Sequence, residues 1–389
     1  MTPSKSNEIA QTSPWILWAM LCIFLNLEIG GGFYGSTLCL AWIFGLWTIN
    51  DLRNRGAKTG LALLVIILVT ALGAAGLMWN SSKELRVYEE LGKVLLLILG
   101  TLSLKELPRR VYQSLVFWIP IGLAGIAALT FLSGNGNEYD LLRFSIPSMG
   151  SSNSTAYGLA IGLLMAHFSW ENTQGQLKKI IIITVGSVLL VALIATVSRG
   201  GLLQYLLGFL AFTNRKKLLL FGIFCTILGV FLWVPNILEL LTTFNRLVDF
   251  QELQGNARIG IWTNLVEELL ASPWHLMVGF GPGSIWVRQV NMVTHMQNSA
   301  HSLYVEVFYS FGVIGSSIFL WWLWRTSQRI LQSPASDSWR RLRFGLLITI
   351  VAGGLLDSYL FTAQLLWLSC LTLAILENQR IHDPETIEF

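Results

Sequence analysis

The sequence predicts an all-α fold, a polytopic membrane bundle of about twelve transmembrane helices with a long helical loop on the outer side. Three observations lead there. Of 389 residues, 53% are hydrophobic and only 12% charged, against a charged share of about 25% in soluble domains. The apolar residues come in blocks, most of them approaching the roughly 20 residues that cross a bilayer. Basic residues gather in every second connection between those blocks, the pattern of cytoplasmic loops.

The apolar segments lie near 14–28, 33–49, 60–79, 91–104, 111–132, 155–170, 180–197, 200–213, 217–235, 301–324, 344–357 and 359–376. The first lacks a small-residue cleavage site and is expected to stay as an anchor. Loops 50–59, 105–110, 171–179, 214–217 and 325–343 carry net charges of +2, +2, +1, +3 and +4. All five fall on one side of a twelve-span map, which makes that side cytoplasmic. The opposite connections 80–90, 133–154 and 236–300 carry −1, −1 and −2. Both termini are therefore expected inside, and the 236–300 loop outside. That loop is too long for a plain connector and is expected to carry or cover function. The chain is expected to form a single integral membrane domain over 1–389.

This composition excludes disordered, collagen-like and disulfide-rich secreted classes. Cys22, Cys39, Cys225 and Cys370 all lie in apolar stretches without metal-ligand spacing. The overall charge of +4 matters less than its placement, and no nucleic-acid partner is expected. Membrane lipid is the expected surroundings.

Three residues stand out as candidates for chemistry. Arg199 sits in Ser198-Arg199-Gly200-Gly201 between two apolar runs, at the expected outer face. A snorkelling arginine at a helix end is the structural alternative, but an outer-face arginine runs against the charge bias. Arg258 opens a helical segment ended by Pro273. At about 100° per residue it shares a face with Trp262, Leu265, Val266 and Leu269, away from Glu267 and Glu268. A structural salt bridge is its alternative. His301 follows Asn298-Ser299-Ala300 and begins the tenth apolar segment, where an interfacial histidine is the plain reading. The charge map puts all three on the outer side. Guanidinium forks pair with phosphate oxygens, and a neutral imidazole can take a hydroxyl proton. Together they describe group transfer from a diphosphate donor to an alcohol. No Asp-x-Asp metal motif occurs in the outside loops, so neither metal nor cofactor is expected.

At these residues the sequence resembles the O-antigen ligase and polymerase superfamily. The ligase pattern is H-[NSQ], nine residues, then G-x-x-G. Here His301-Ser302 leads after nine residues to Gly312-Val313-Ile314-Gly315. Ser198-Arg199-Gly200 resembles the family's first arginine. Asn256-Ala257-Arg258 with Trp262 and Ser272-Pro273 resembles the second. Gly279-Phe280-Gly281-Pro282-Gly283 is similar to a glycine-proline turn of the superfamily, and Met149–Tyr157, with Asn153, to an outside segment. The likeness covers roughly 145–376. It implies a metal-independent, inverting glycosyltransferase acting at the periplasmic face of the bacterial inner membrane. The implied donor is a glycan on undecaprenyl diphosphate, and the implied acceptor is lipid A–core or another glycan. His301 would be catalytic, and Arg199 and Arg258 would bind the donor diphosphate. Ligase is the first expectation and polymerase the second, because Ser316-Ser317 replaces two threonines common in ligases. A lipid-linked sugar flippase is the distant alternative; it would call for midplane charges and repeats. Glu28 and Asp357, the acidic residues at or in spans, map near outer ends. Gly312 and Gly315 are expected to permit close helix packing, and Glu306 is not expected to orient His301.

Overall fold

The computed structural model describes residues 5–24, 28–30, 33–34, 85–105, 107–134, 143–149, 151–213, 257–285, 300–334, 337–357, 360 and 362–378. In chain order its helices are α1 Lys5–Phe24, α2 Leu85–Leu104, α3 Arg109–Ser133, α4 Ser152–Asn172, α5 Gln176–Ala195 and α6 Arg199–Phe212. There follow α7 Ala257–Leu270, α8 Pro273–Val278, α9 Leu303–Gln332, α10 Ser338–Leu356 and α11 Leu366–Glu377. A short antiparallel pair joins β1 Glu28–Gly30 to β2 Phe33–Tyr34. Among the described residues, α3, α5 and α9 are long and apolar enough to cross a membrane.

Nine of the expected apolar segments coincide with described helices: α1 to α6 and α9 to α11. Of 33–49 only Phe33–Tyr34 is described, and it is extended. Segments 60–79 and 217–235, and loops 50–59 and 214–217, lie outside the described residues, as do Cys39 and Cys225. The 325–343 connection corrects the sequence reading. Helix α9 runs on to Gln332 and α10 starts at Ser338. Arg325, Arg329, Arg340, Arg341 and Arg343 therefore sit on helical extensions. Long basic side chains extend a helix beyond its apolar run without ending it, because straight-chain residues lose little freedom in a helix.

The chain divides into two compact units, 1–115 with 257–332 and 354–389, and 116–256 with 333–353. In the first, α11 is buried from Leu366 to Leu376. A helix apolar all round needs partners all round, and α2 packs along it. Glu377 ends it and accepts from Trp322 Nε1 at 2.8 Å, Thr326 Oγ1 at 2.7 Å and Arg329 Nη1 at 2.8 Å. These donors lie on neighbouring turns of α9, so one carboxylate ties α11 to α9. In the second unit, α4 is the centre, buried over most of its length, with α5 and α6 against it. Small residues set the spacing. A side chain at Gly201 would collide with Ala156 of α4. One at Gly162 would stand 2.8 Å from Leu123 of α3.

Candidate functional site

Arg199 belongs to the second unit and His301 and Arg258 to the first, so the two groups are described in turn.

Arg199 is the first residue of α6. Its position follows from the turn before it. Val197 is held at φ 50°, a left-handed conformation that is strained for a β-branched residue. Ser198 then caps the helix, its Oγ accepting from Gly201 N at 3.2 Å. The same hydroxyl donates to Asn153 Oδ1 at 2.9 Å. Arg143 Nη2 donates to that oxygen at 3.3 Å, and its Nε to Thr196 O at 3.4 Å. Phe144 N reaches Ala195 O at 2.9 Å, and Ile146 N reaches Thr155 Oγ1 at 3.0 Å. The segment with Asn153 thus braces the turn that presents Arg199. The first turn of α6 offers backbone N–H groups and the positive end of the helix dipole. A guanidinium there adds positive charge where an anion is favoured.

Arg258 lies in the first turn of α7, half-buried and on the face anticipated for it. Ile261, Leu265 and Leu269 of that face pack with Phe280, Ile285, Ala300 and Tyr309. Trp262, one turn after Arg258, donates from Nε1 to Ala300 O at 2.6 Å. This bond ties the arginine's helix to the residue just before His301. Asn256 lies outside the described residues, as do 286–299, which include His295.

His301 stands in a bend ahead of α9, at φ 48°. Its Nδ1 lies 3.6 Å from Asp357 Oδ1, farther than a hydrogen bond. Ser302 Oγ donates to Gly354 O at 3.2 Å. A side chain at Gly354 would stand 3.1 Å from Leu303. This close approach brings the end of α10, and with it Asp357, to the histidine. Asp357 is the carboxylate beside His301 that sequence reasoning did not pair with it.

The two glycine motifs form one structural unit. Helix α9 breaks at Gly312, with φ 63° and ψ −161°. The turn after α8 packs into the break. Phe280 N donates to Tyr309 O at 2.9 Å and Gly281 N to Ser310 O at 3.0 Å. A side chain on Gly312 would stand 2.5 Å from the Met277 carbonyl carbon, and one on Gly279 would strike the Ser310–Phe311 backbone. Gly279 and Gly312 also need positive φ, which glycine alone adopts freely. The close packing expected at Gly312 is thus made by the last turn of α8 together with the Gly279 turn. Beside it His275 stacks on Phe280 at 3.9 Å between centroids, and Phe280 lies 4.9 Å from Tyr309. Tyr309 OH donates to Glu268 Oε2 at 2.6 Å. His275 Nδ1 pairs with Ser272 Oγ at 2.8 Å, and His167 packs among Phe209 and Phe212. Both rings pack against aromatic neighbours. Among the described residues no three His, Cys, Asp or Glu side chains converge as metal ligands would.

With these positions in view, the family comparison adds its own finding. Residues 184–320 match the family model for O-antigen ligase. That stretch contains Arg199, Arg258 and His301. The match supports a likeness of that stretch to the O-antigen ligase superfamily, and with it a membrane glycosyltransferase. No curated protein matches the chain.

Proposed function

We propose that the protein moves a glycan from undecaprenyl diphosphate to an acceptor hydroxyl at the periplasmic face of the inner membrane. The ligase reaction, joining O-antigen to lipid A–core, is the reading favoured. The observation that carries it is the order Arg199, Arg258, His301 inside the matched segment, with His301 beside Asp357. In this reading the acceptor oxygen attacks the anomeric carbon as the bond from that carbon to the diphosphate oxygen breaks. The diphosphate leaves with the electron pair and is met by the two guanidinium groups, where its charge grows against charge already fixed. His301 takes the hydroxyl proton. A proton held on Nδ1 toward Asp357 leaves the Nε2 lone pair to do so. Attack opposite the leaving group inverts the anomeric centre. The arginines serve in place of a metal ion.

The chain in this reading is one integral membrane domain over 1–389 with about twelve spans. Its termini are cytoplasmic, and 236–300 is periplasmic. Cysteine labelling from each side tests the topology: residues near 250–295 should label from outside, and those near 55, 216 and 335 from inside. Outside labelling near 335 would reverse the orientation and remove the site.

A polymerase of the same superfamily is the second reading, favoured by the Gly279–Gly283 turn and by Ser316-Ser317. Purified protein in detergent, given lipid-linked glycan and either lipid A–core or a second lipid-linked repeat, separates the two by which acceptor releases undecaprenyl diphosphate. A flippase would release none without a sealed membrane, and that result would overturn the enzyme reading.

A further inference from the structure

The helix pair α7–α8 leaves an apolar edge uncovered. On α7, at about 100° per residue, Ile259, Val266 and Leu270 fall within about 40° of one another. Ile259 is 59% and Leu270 60% exposed. This edge lies beside the stripe of Ile261, Leu265 and Leu269, which packs inward. Thr263, Asn264 and Glu267 occupy the next sector and are exposed as well. The helix therefore has three faces: one against its own unit, one apolar and open, one polar and open. Helix α8 continues the open apolar edge with Trp274 at 42% and Met277 at 47% exposed, on one side at i and i+3.

We infer that α7 and α8 lie in the outer headgroup layer, with Leu270, Trp274 and Met277 inserted among lipid acyl chains. Continuity argues for lipid. Met277 abuts Gly312, and the next residues of α9, Val313 and Ile314, are exposed. Beyond them Ile318, Leu320, Trp321 and Trp324 are exposed along the same spanning helix. In a membrane that surface meets acyl chains, and the α8 edge adjoins it at the outer end. Composition agrees. An apolar edge with a tryptophan, opposite a polar face, is the pattern of a helix lying in the interface. The insertion would hold Arg258, in the first turn of α7, at the depth of phosphate groups. The inference rests on α9 spanning the membrane.

The test places a photoreactive benzoyl-phenylalanine at 274, 277, 267 or 318 of the full chain in phospholipid nanodiscs. After illumination, mass spectrometry reads the adducts. Positions 274 and 277 are expected to give lipid adducts, and 267, in the polar sector, none. Lipid adducts at 318 but not at 274 or 277 would overturn the inference and leave α9 as a span. No lipid adduct at 318 would overturn both. Adducts from 274 or 277 to a second copy of the chain would replace the lipid contact with a protein interface and overturn it. Turnover gives an independent readout: Met277→Glu should lower it several-fold in nanodiscs, and Met277→Leu should not. Equal turnover in the two variants would count against the insertion.

Discussion

The Ser198–Arg199 turn and the Ala300–His301 bend present their candidates by the same backbone device and differ in how much apolar and backbone packing secures them. Each uses a non-glycine residue at positive φ, Val197 at 50° and His301 at 48°. Such conformations cost on the order of 1–3 kcal/mol and persist only where the surroundings fix them. At Arg199 the surroundings are polar. Asn153 Oδ1 takes hydrogen bonds from Ser198 and Arg143, and Ser198 caps the helix. At His301 side-chain bonds from Trp262 Nε1 to Ala300 O and from Ser302 Oγ to Gly354 O are joined by apolar and backbone contacts. Ala300 is buried in the cluster under α7, and the Gly279–Gly281 turn is bonded into the break of α9. A polar brace can be weakened one bond at a time. A backbone contact with no room for a Cβ fails all at once. The two regions should therefore respond differently to substitution.

The largest effects should come from the candidates themselves. His301→Ala should lose about 10²–10⁴-fold in turnover, the usual worth of general-base help, while still binding the lipid-linked donor. Binding and turnover measured in one mutant check this, and unchanged turnover would remove His301 from the mechanism. Arg199→Ala and Arg258→Ala should abolish or nearly abolish transfer in protein that still inserts. Lysine should rescue either poorly, because an ammonium cannot make the forked contact. Near-normal activity of both lysine variants would mean charge alone suffices.

The next effect bears on the backbone brace. Gly312→Ala combines a forbidden φ with a Cβ at 2.5 Å from the Met277 carbonyl carbon. It should lower thermal stability in detergent by several degrees and reduce turnover together with it. A stable, inactive Gly312→Ala protein would show that the glycine serves chemistry rather than packing.

Asp357→Asn should be milder. It removes the charge 3.6 Å from His301 Nδ1 and should cost turnover about tenfold, or ~1.4 kcal/mol, with donor affinity kept. A fall in donor affinity at unchanged turnover would reassign Asp357 to binding.

The smallest effect belongs to the polar brace. Ser198→Ala removes a helix cap, worth about 1 kcal/mol, and one bond to Asn153. It should lower turnover only a few-fold, and Ser198→Thr should restore it. A loss as deep as that of Arg199→Ala would place Ser198 in direct contact with substrate.

Much of this protein was legible along the chain, because those signals are local. Apolar runs with few charges specify helices fit for a bilayer whatever they pack against, as α3, α5 and α9 illustrate. The face of Arg258 followed from helical period, since Trp262, Leu265 and Leu269 of the expected stripe pack inward. The end of α9 was not legible, because hydropathy falls at Arg325 while the helix continues to Gln332. What tertiary structure alone decided is which distant residues meet. Asn153 reaches Ser198 across 45 residues of sequence, and Trp262 reaches Ala300 across 38. Asp357 comes to His301 because Gly354 lets the end of α10 approach Leu303. Gly279 and Gly312 each look like an isolated flexible point in the sequence. Only packing reveals that each leaves room for the backbone beside the other. Local backbone energetics set the elements, but left-handed residues and contacts without room for a Cβ are fixed by neighbours that no local pattern records.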